Sequence, residues 1–262
     1  MPHRARSAQA KLRRAEDLLD AARVLAADRG GIRHLTLAAV TEAAGLHPSA
    51  VRRYFSSREE LLLELAERGW EQWCDAVTAR LAGAHGLTPA GTATVVSSTL
   101  ASLPLFCDLL THVPLSLEGD VGIERARRYK TRSFEAYDVI VKTLTATGTM
   151  TAVQVQDLIT TALGLTANLW QISHPTPTLA RLYEQEPRWG HAALDFEPRL
   201  TRLLQAAAIG LSVSPPTGSQ PQRSGTHTRY AGVSGTESRS ARSACPSCRA
   251  AGCRCPTCGL AR

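Results

Sequence analysis

The chain has 262 residues, 44% of them hydrophobic and 5% aromatic, enough to bury a core and to form one large or two modest domains. Its net charge of +7 is uneven: residues 1–58 carry 11 Lys/Arg against 5 Asp/Glu, residues 59–212 carry 12 against 17, and residues 213–262 carry 7 against 1. Concentrated basic ends are the footprint of an anionic partner such as nucleic acid. No run of about 18 uncharged apolar residues occurs, which argues against a membrane span. Arg13, Arg14, Glu16, Asp17 and Asp20 interrupt any secretory signal, so a cytoplasmic location is expected.

In chain order, the first predicted helix covers about residues 11–28, with Ala15, Leu18, Leu19, Ala22, Leu25 and Ala26 at spacings of three and four and Arg29-Gly30-Gly31 as its stop. A basic arm, Arg4, Arg6, Lys11, Arg13 and Arg14, leads into it and has the charge to follow a phosphate backbone or enter a minor groove. A second helix follows Leu35, with Thr36 as its N-cap and Gly45 as the left-handed residue that ends it. Its packed face is mostly alanine, and small side chains let helices approach closely. A third helix over residues 48–55, with Pro48 near its start, then crosses the second after a short turn. That places a helix-turn-helix at about residues 36–55.

A recognition helix packs one face on its neighbour and shows polar groups to the major groove. Val51 and Phe55, four apart, supply the inward stripe and leave His47, Ser49, Arg52 and Arg53 outward. Arginine bonds a guanine edge bidentately or holds a phosphate, and the spacing leaves open which of the two reads a base. Ser49, His47 and the Tyr54 hydroxyl suit phosphates. Thr36 and Arg58, each at a helix start, are expected phosphate clamps, because exposed amides and a positive dipole end favour anions.

The three-helix order, "LTLAAVTEAAGL" leading into a short helix, the Tyr54-Phe55 pair and "SSREELLLELAERGW" from Ser56 to Trp70 together resemble the DNA-binding domain of the TetR/AcrR family of transcriptional regulators, over about residues 13–72. One position departs, since Arg52 stands where the family often has tyrosine. The resemblance implies an all-α protein: a helix-turn-helix head over residues 11–58, a helical ligand-binding and dimerisation domain over 59–212, and a fourth helix that connects them. It implies a homodimeric repressor on a palindromic double-stranded DNA operator, released by a small-molecule effector.

The connecting helix, about residues 59–82, carries Leu62, Leu65, Trp70, Trp73, Val77 and Leu81, and both tryptophans read as core. Five further helices are expected, at about residues 89–103, 105–112, 123–147, 151–172 and 197–211. The weakly charged stretches among them suit a buried bundle or a largely apolar effector cavity, with His112, Asn168 and Gln171 as orienting groups and Phe106, Leu110, Tyr137 and Trp170 as walls. The family forms its two-fold interface from the last two long helices. Leu200, Leu203, Leu204, Ala207 and Leu211 make the matching apolar stripe.

Beyond Val213 the chain turns rich in Ser, Gly, Pro and Arg, a composition that cannot bury enough apolar surface to order itself. Within this tail, Cys245 and Cys248 form one C-x2-C pair, and Cys255 and Cys258 form another. These four thiols are weak metal candidates, because six residues between the pairs is far short of a zinc ribbon's spacing of about 15–20. A metal- or thiol-sensing regulator acting through this tail is the alternative reading. No G-x-S-x-G, H-E-x-x-H or phosphate-cradling glycine loop occurs, so neither catalysis nor a cofactor is expected.

Overall fold

A computed structural model describes residues 2–47, 50–192 and 195–213, with side chains over 9–47, 50–189 and 195–213. Pro48 and Ser49, expected at the start of the recognition segment, lie outside the described residues. So do the candidate metal ligands Cys245, Cys248, Cys255 and Cys258. Helix α1 (Pro2–Asp28) starts nine residues earlier than its periodicity indicates, so the basic arm is backbone-helical. Proline at the first helical position and the alanines and arginines after it are all compatible with a helix, although they have no apolar face to betray it. A 3-10 turn (Ile32–His34), α2 (Leu37–Ala43) and a second 3-10 turn (Val51–Arg53) complete the head. Leu18, Leu19 and Ala22 of α1, Val40 of α2, and Val51 and Phe55 close over Leu61 and Leu62, all buried.

Leu61 and Leu62 belong to α3 (Arg58–Arg80), the helix shared by head and body. Ser57 caps it by accepting the Glu60 amide at 3.1 Å, and Glu60 reaches back to the Ser56 amide at 2.6 Å. Further along, α3 meets α5 (Pro104–His112) so closely that a Cβ on Gly69 would stand 2.2 Å from a ring carbon of Phe106. Phe106, Trp70 and Trp73 then form one aromatic cluster, with Trp70 centroid distances of 5.5 Å to each of the other two. Both indole N–H groups are satisfied, Trp70 by the Tyr129 hydroxyl and Trp73 by Thr99, each at 3.0 Å. Buried indoles need such partners.

On its other side α3 packs along α6 (Ile123–Thr147) through charge. Glu67, 3% exposed, accepts from Arg125 at 2.8 Å, while Glu64 accepts from Arg125 at 3.2 Å and Arg128 pairs with both. Arg68 holds Glu16 of α1 with both terminal nitrogens, and that hydrogen bond keeps the Glu16 carboxyl below the usual carboxylate range. The connecting helix is therefore bonded to head and body at once.

The remaining helices are α4 (Pro89–Ala101), α7 (Ala152–Ser173), α8 (Pro177–Gln185) and α9 (Phe196–Val213). Six helices thus follow α3 among the described residues, against five expected. The additional one, α8, has a Thr176 cap and Pro177 at its start but no buried residue, so it carries no hydrophobic stripe from which it would be recognised. Among the described residues no strand is present, only the isolated bridge between Leu87 and Gly148, and no single helix is long and apolar enough to cross a membrane.

Candidate nucleic-acid interface

The turn between α2 and the recognition segment is set by backbone chemistry. Gly45 adopts φ 65°, its amide bonds the Glu42 carbonyl at 2.9 Å and the next amide, Leu46, bonds Thr41 at 3.0 Å. This is the paired closure of a Schellman motif, which needs a left-handed residue at its centre. At the other end of α2, exposed Thr36 accepts the Ala39 amide through its Oγ1 at 3.1 Å. Gly45→Ala is expected to cost about 1–2 kcal/mol, the penalty of a Cβ in left-handed backbone, and to weaken DNA binding by loosening this turn. Chemical denaturation together with a DNA titration checks both effects.

The helix expected over residues 48–55 is not formed over the described part of the recognition segment. Over its described part it is the 3-10 turn Val51–Arg53, with Val51 and Phe55 buried at 4% and 6% exposure. Arg52 and Arg53 are exposed, as is His47, and Tyr54 is half-buried with its ring packed on the core. Lys11 and Arg14 of α1 join Arg53 and Tyr54 around a groove of about 470 Å³. In the sequence the arm and the arginines are separate features, and the fold brings Lys11 and Arg14 of the arm beside Arg53.

Arg58 differs from its expected role. Its Nε donates to the Leu35 carbonyl at 2.6 Å, one terminal nitrogen to the Ile32 carbonyl at 2.8 Å, and the other lies 3.5 Å from Glu59. Those bonds hold the turn before α2 against the start of α3, so the guanidinium is occupied within the protein. A carbonyl-lined corner beside a helix start attracts the same charge that a phosphate would, and sequence does not distinguish the two.

The expected effector residues are also scattered. Phe106 is 2% exposed inside the aromatic cluster and fills space rather than lining it. Asn168 is exposed, Tyr137 leans on Phe134 along α6, and Leu110 is half-buried at the edge of the core. Half-buried His112 has its pKa lowered, chiefly by burial, with Arg58 and Arg33 adding to the effect and Asp108 opposing it. A cavity of about 540 Å³ does exist, and it lies at the seam of head and body, between Ala26, Ala27, Gly30 and Gly31 on one side and Leu105, Asp108, Trp170 and His174 on the other. Trp170 is the one expected wall residue that lines it. Gln171 reaches it indirectly, donating to Asp108 at 2.8 Å.

The expected dimer stripe faces inward. Leu200 and Leu204 are fully buried against α4, where Ser97 and Thr201 hydroxyls meet at 2.7 Å and Gln205 donates to Thr94 at 3.0 Å. Leu203, Ala207 and Leu211 are half-buried in the same packing. An apolar stripe reads alike whether it covers the chain's own core or a partner. The exposed face of α9 instead carries Ala206, Ile209 and Val213, with Ile209 52% and Val213 78% exposed.

The two cysteines with described side chains are both held as thiols: burial first, and the charge of Asp108 next, push Cys107 up to about 12, and burial raises Cys74. Among the described residues no cluster of His, Cys, Asp or Glu is arranged to hold a metal. The pairs Cys245 with Cys248 and Cys255 with Cys258 lie outside those residues.

Two family models match the chain. Residues 18–65 match the one described as bacterial regulatory proteins, tetR family, and residues 67–215 match the tetracyclin repressor-like C-terminal domain. No curated protein matches the chain at a significant level. A tetR head joined through α3 to a repressor-type body accounts for the basic turn surface and for nearly all the helices behind it, and the chain belongs to the TetR family of DNA-binding transcriptional regulators.

Proposed function

We propose that this regulator is a homodimeric repressor that leaves a palindromic operator when a small molecule binds its helical body. The observation that carries the reading is α3. It begins in the head core at Leu61 and Leu62, touches α5 at Gly69 and is bonded to α6 through Glu64 and Glu67, so a shift of the body against α3 is a shift of the head. Two heads fit one palindromic site only when their reading segments stand about 34–36 Å apart, one turn of DNA, so a small tilt suffices to release it. The exposed faces of α7 and α9 support the two-fold. Gln154 of α7 donates to the Leu211 carbonyl of α9 at 2.9 Å, and Val153 of α7 and Ile209 and Val213 of α9 are exposed apolar residues.

The test uses DNA flanking the protein's own gene, in a fluorescence-anisotropy titration at several salt concentrations. Arg52→Ala and Arg53→Ala are each expected to weaken specific binding by about 1–3 kcal/mol where the arginine reads a base, and to reduce the salt slope by about one unit where it holds a phosphate. Unchanged affinity in both variants removes the turn Val51–Arg53 from the interface.

A further inference from the structure

The seam cavity has a chemical bias. Its walls are mostly apolar, with Leu105 on one side and Trp170 on another, and the Trp170 ring is stacked at 3.8 Å on the imidazole of His174. Into this setting the body places a carboxylate: Asp108 is 8% exposed and has no ion pair among the described residues. Neutral donors hold it, the Ile32 amide at 2.8 Å and the Gln171 side chain at 2.8 Å. Each carboxylate oxygen accepts two hydrogen bonds, so both retain capacity. Arg23, the cationic side chain on the wall, is already bonded to Asp20. Half-buried His112 makes no ion pair with Asp108, and burial lowers the His112 pKa against the opposing pull of the Asp108 charge. A buried carboxylate supported only by neutral groups carries a desolvation cost that a cation placed beside it offsets.

We propose that the seam cavity is a binding site for an organic cation, an aromatic or similarly lipophilic amine whose ammonium group sits against Asp108 while its apolar part stacks along Trp170 and Leu105. A volume of about 540 Å³ is of the size that takes a drug-sized molecule. Because Asp108 also accepts the Ile32 amide, which belongs to the head, a ligand that engages the carboxylate acts directly on one of the bonds between the two halves. This regulatory consequence rests on the ligand-responsive reading above; the site itself does not.

The experiment is calorimetric titration of the full chain, without DNA, with naphthylmethylammonium and with its uncharged isostere naphthylmethanol. The ammonium is expected to bind about tenfold or more tighter than the alcohol, as for a charge-assisted hydrogen bond. Asp108→Asn keeps an acceptor for the Ile32 amide and is expected to bind both probes equally. Leu105→Trp fills the cavity, leaves Asp108 in place and is expected to exclude both, with its melting temperature showing that the fold persists. Equal binding of the two probes by the native chain, a cation preference that survives Asp108→Asn, or undiminished binding by Leu105→Trp would each overturn the site. As no DNA is present, such a failure leaves operator release to be judged by the anisotropy measurements. Probe binding that meets these expectations while leaving DNA affinity unchanged retains the site and overturns its part in release.

Discussion

Glu67→Gln is expected to destabilise the protein by about 3 kcal/mol, the lower end of what breaking a buried ion pair costs. The glutamate side chain is 4% exposed and its partner Arg125 is 11% exposed, so removing the negative charge leaves a guanidinium in a poorly solvated place. Glu64 moderates the loss because it stays within 3.2 Å of Arg125. Glu64→Gln combined with Glu67→Gln should therefore exceed the sum of the two single changes, since the second removal strips the last acid from Arg125. Replacing the pair as a unit, Glu67→Leu with Arg125→Met, should recover most of the stability, because buried pairs contribute little net against a packed apolar substitute. Urea denaturation midpoints read all four variants. A loss under about 0.5 kcal/mol for Glu67→Gln would mean that the α3–α6 contact is held by packing alone.

Ala206→Glu combined with Ile209→Glu is expected to give monomers of native helix content whose operator affinity falls on the order of a hundredfold or more, because two joined heads make the second half-site contact intramolecular. Both positions are exposed on α9, so the substitutions spare the core, whereas Leu204 at 0% exposure would confound assembly with folding. Like charges brought together across a two-fold axis oppose association directly. Sedimentation velocity distinguishes the outcomes: a dimer that persists in the double variant removes this face of α9 from the interface, and monomers that retain full operator affinity remove the requirement for two heads.

Features governed by contacts within one or two helical turns were legible in the amino-acid sequence. Thr36 was recognisable as a cap because a threonine before an apolar run has an amide three residues on to accept, and Gly45 as a terminator because left-handed backbone excludes a Cβ at little cost only for glycine. The boundaries of α6, and those of α7 and α9 to within a residue or two, follow from periodicity of the same local kind. Val51 and Phe55 were placed inward, and Trp70 and Trp73 in the core, by spacing alone, and their burial agrees.

Tertiary structure alone decided what each face meets. Leu200 and Leu204 form the stripe that a dimer would use, yet α4 covers them, and periodicity records that a face is apolar without recording what lies against it. Arg58 stood where a phosphate clamp would stand, but the carbonyls of Ile32 and Leu35, 26 and 23 residues away, claim its guanidinium. Asp108 had no distinguishing local signal; its position opposite Ile32, 76 residues away, makes it the charged group of the seam cavity. The sequence by itself determined most of the helices, the Thr36 cap, the Gly45 stop and the basic head, because those depend on neighbours along the chain. The cavity, the ion network on α3 and the outward face of α9 depend on which distant residues the closed chain brings within a few ångströms, and that was decided only when the helices packed.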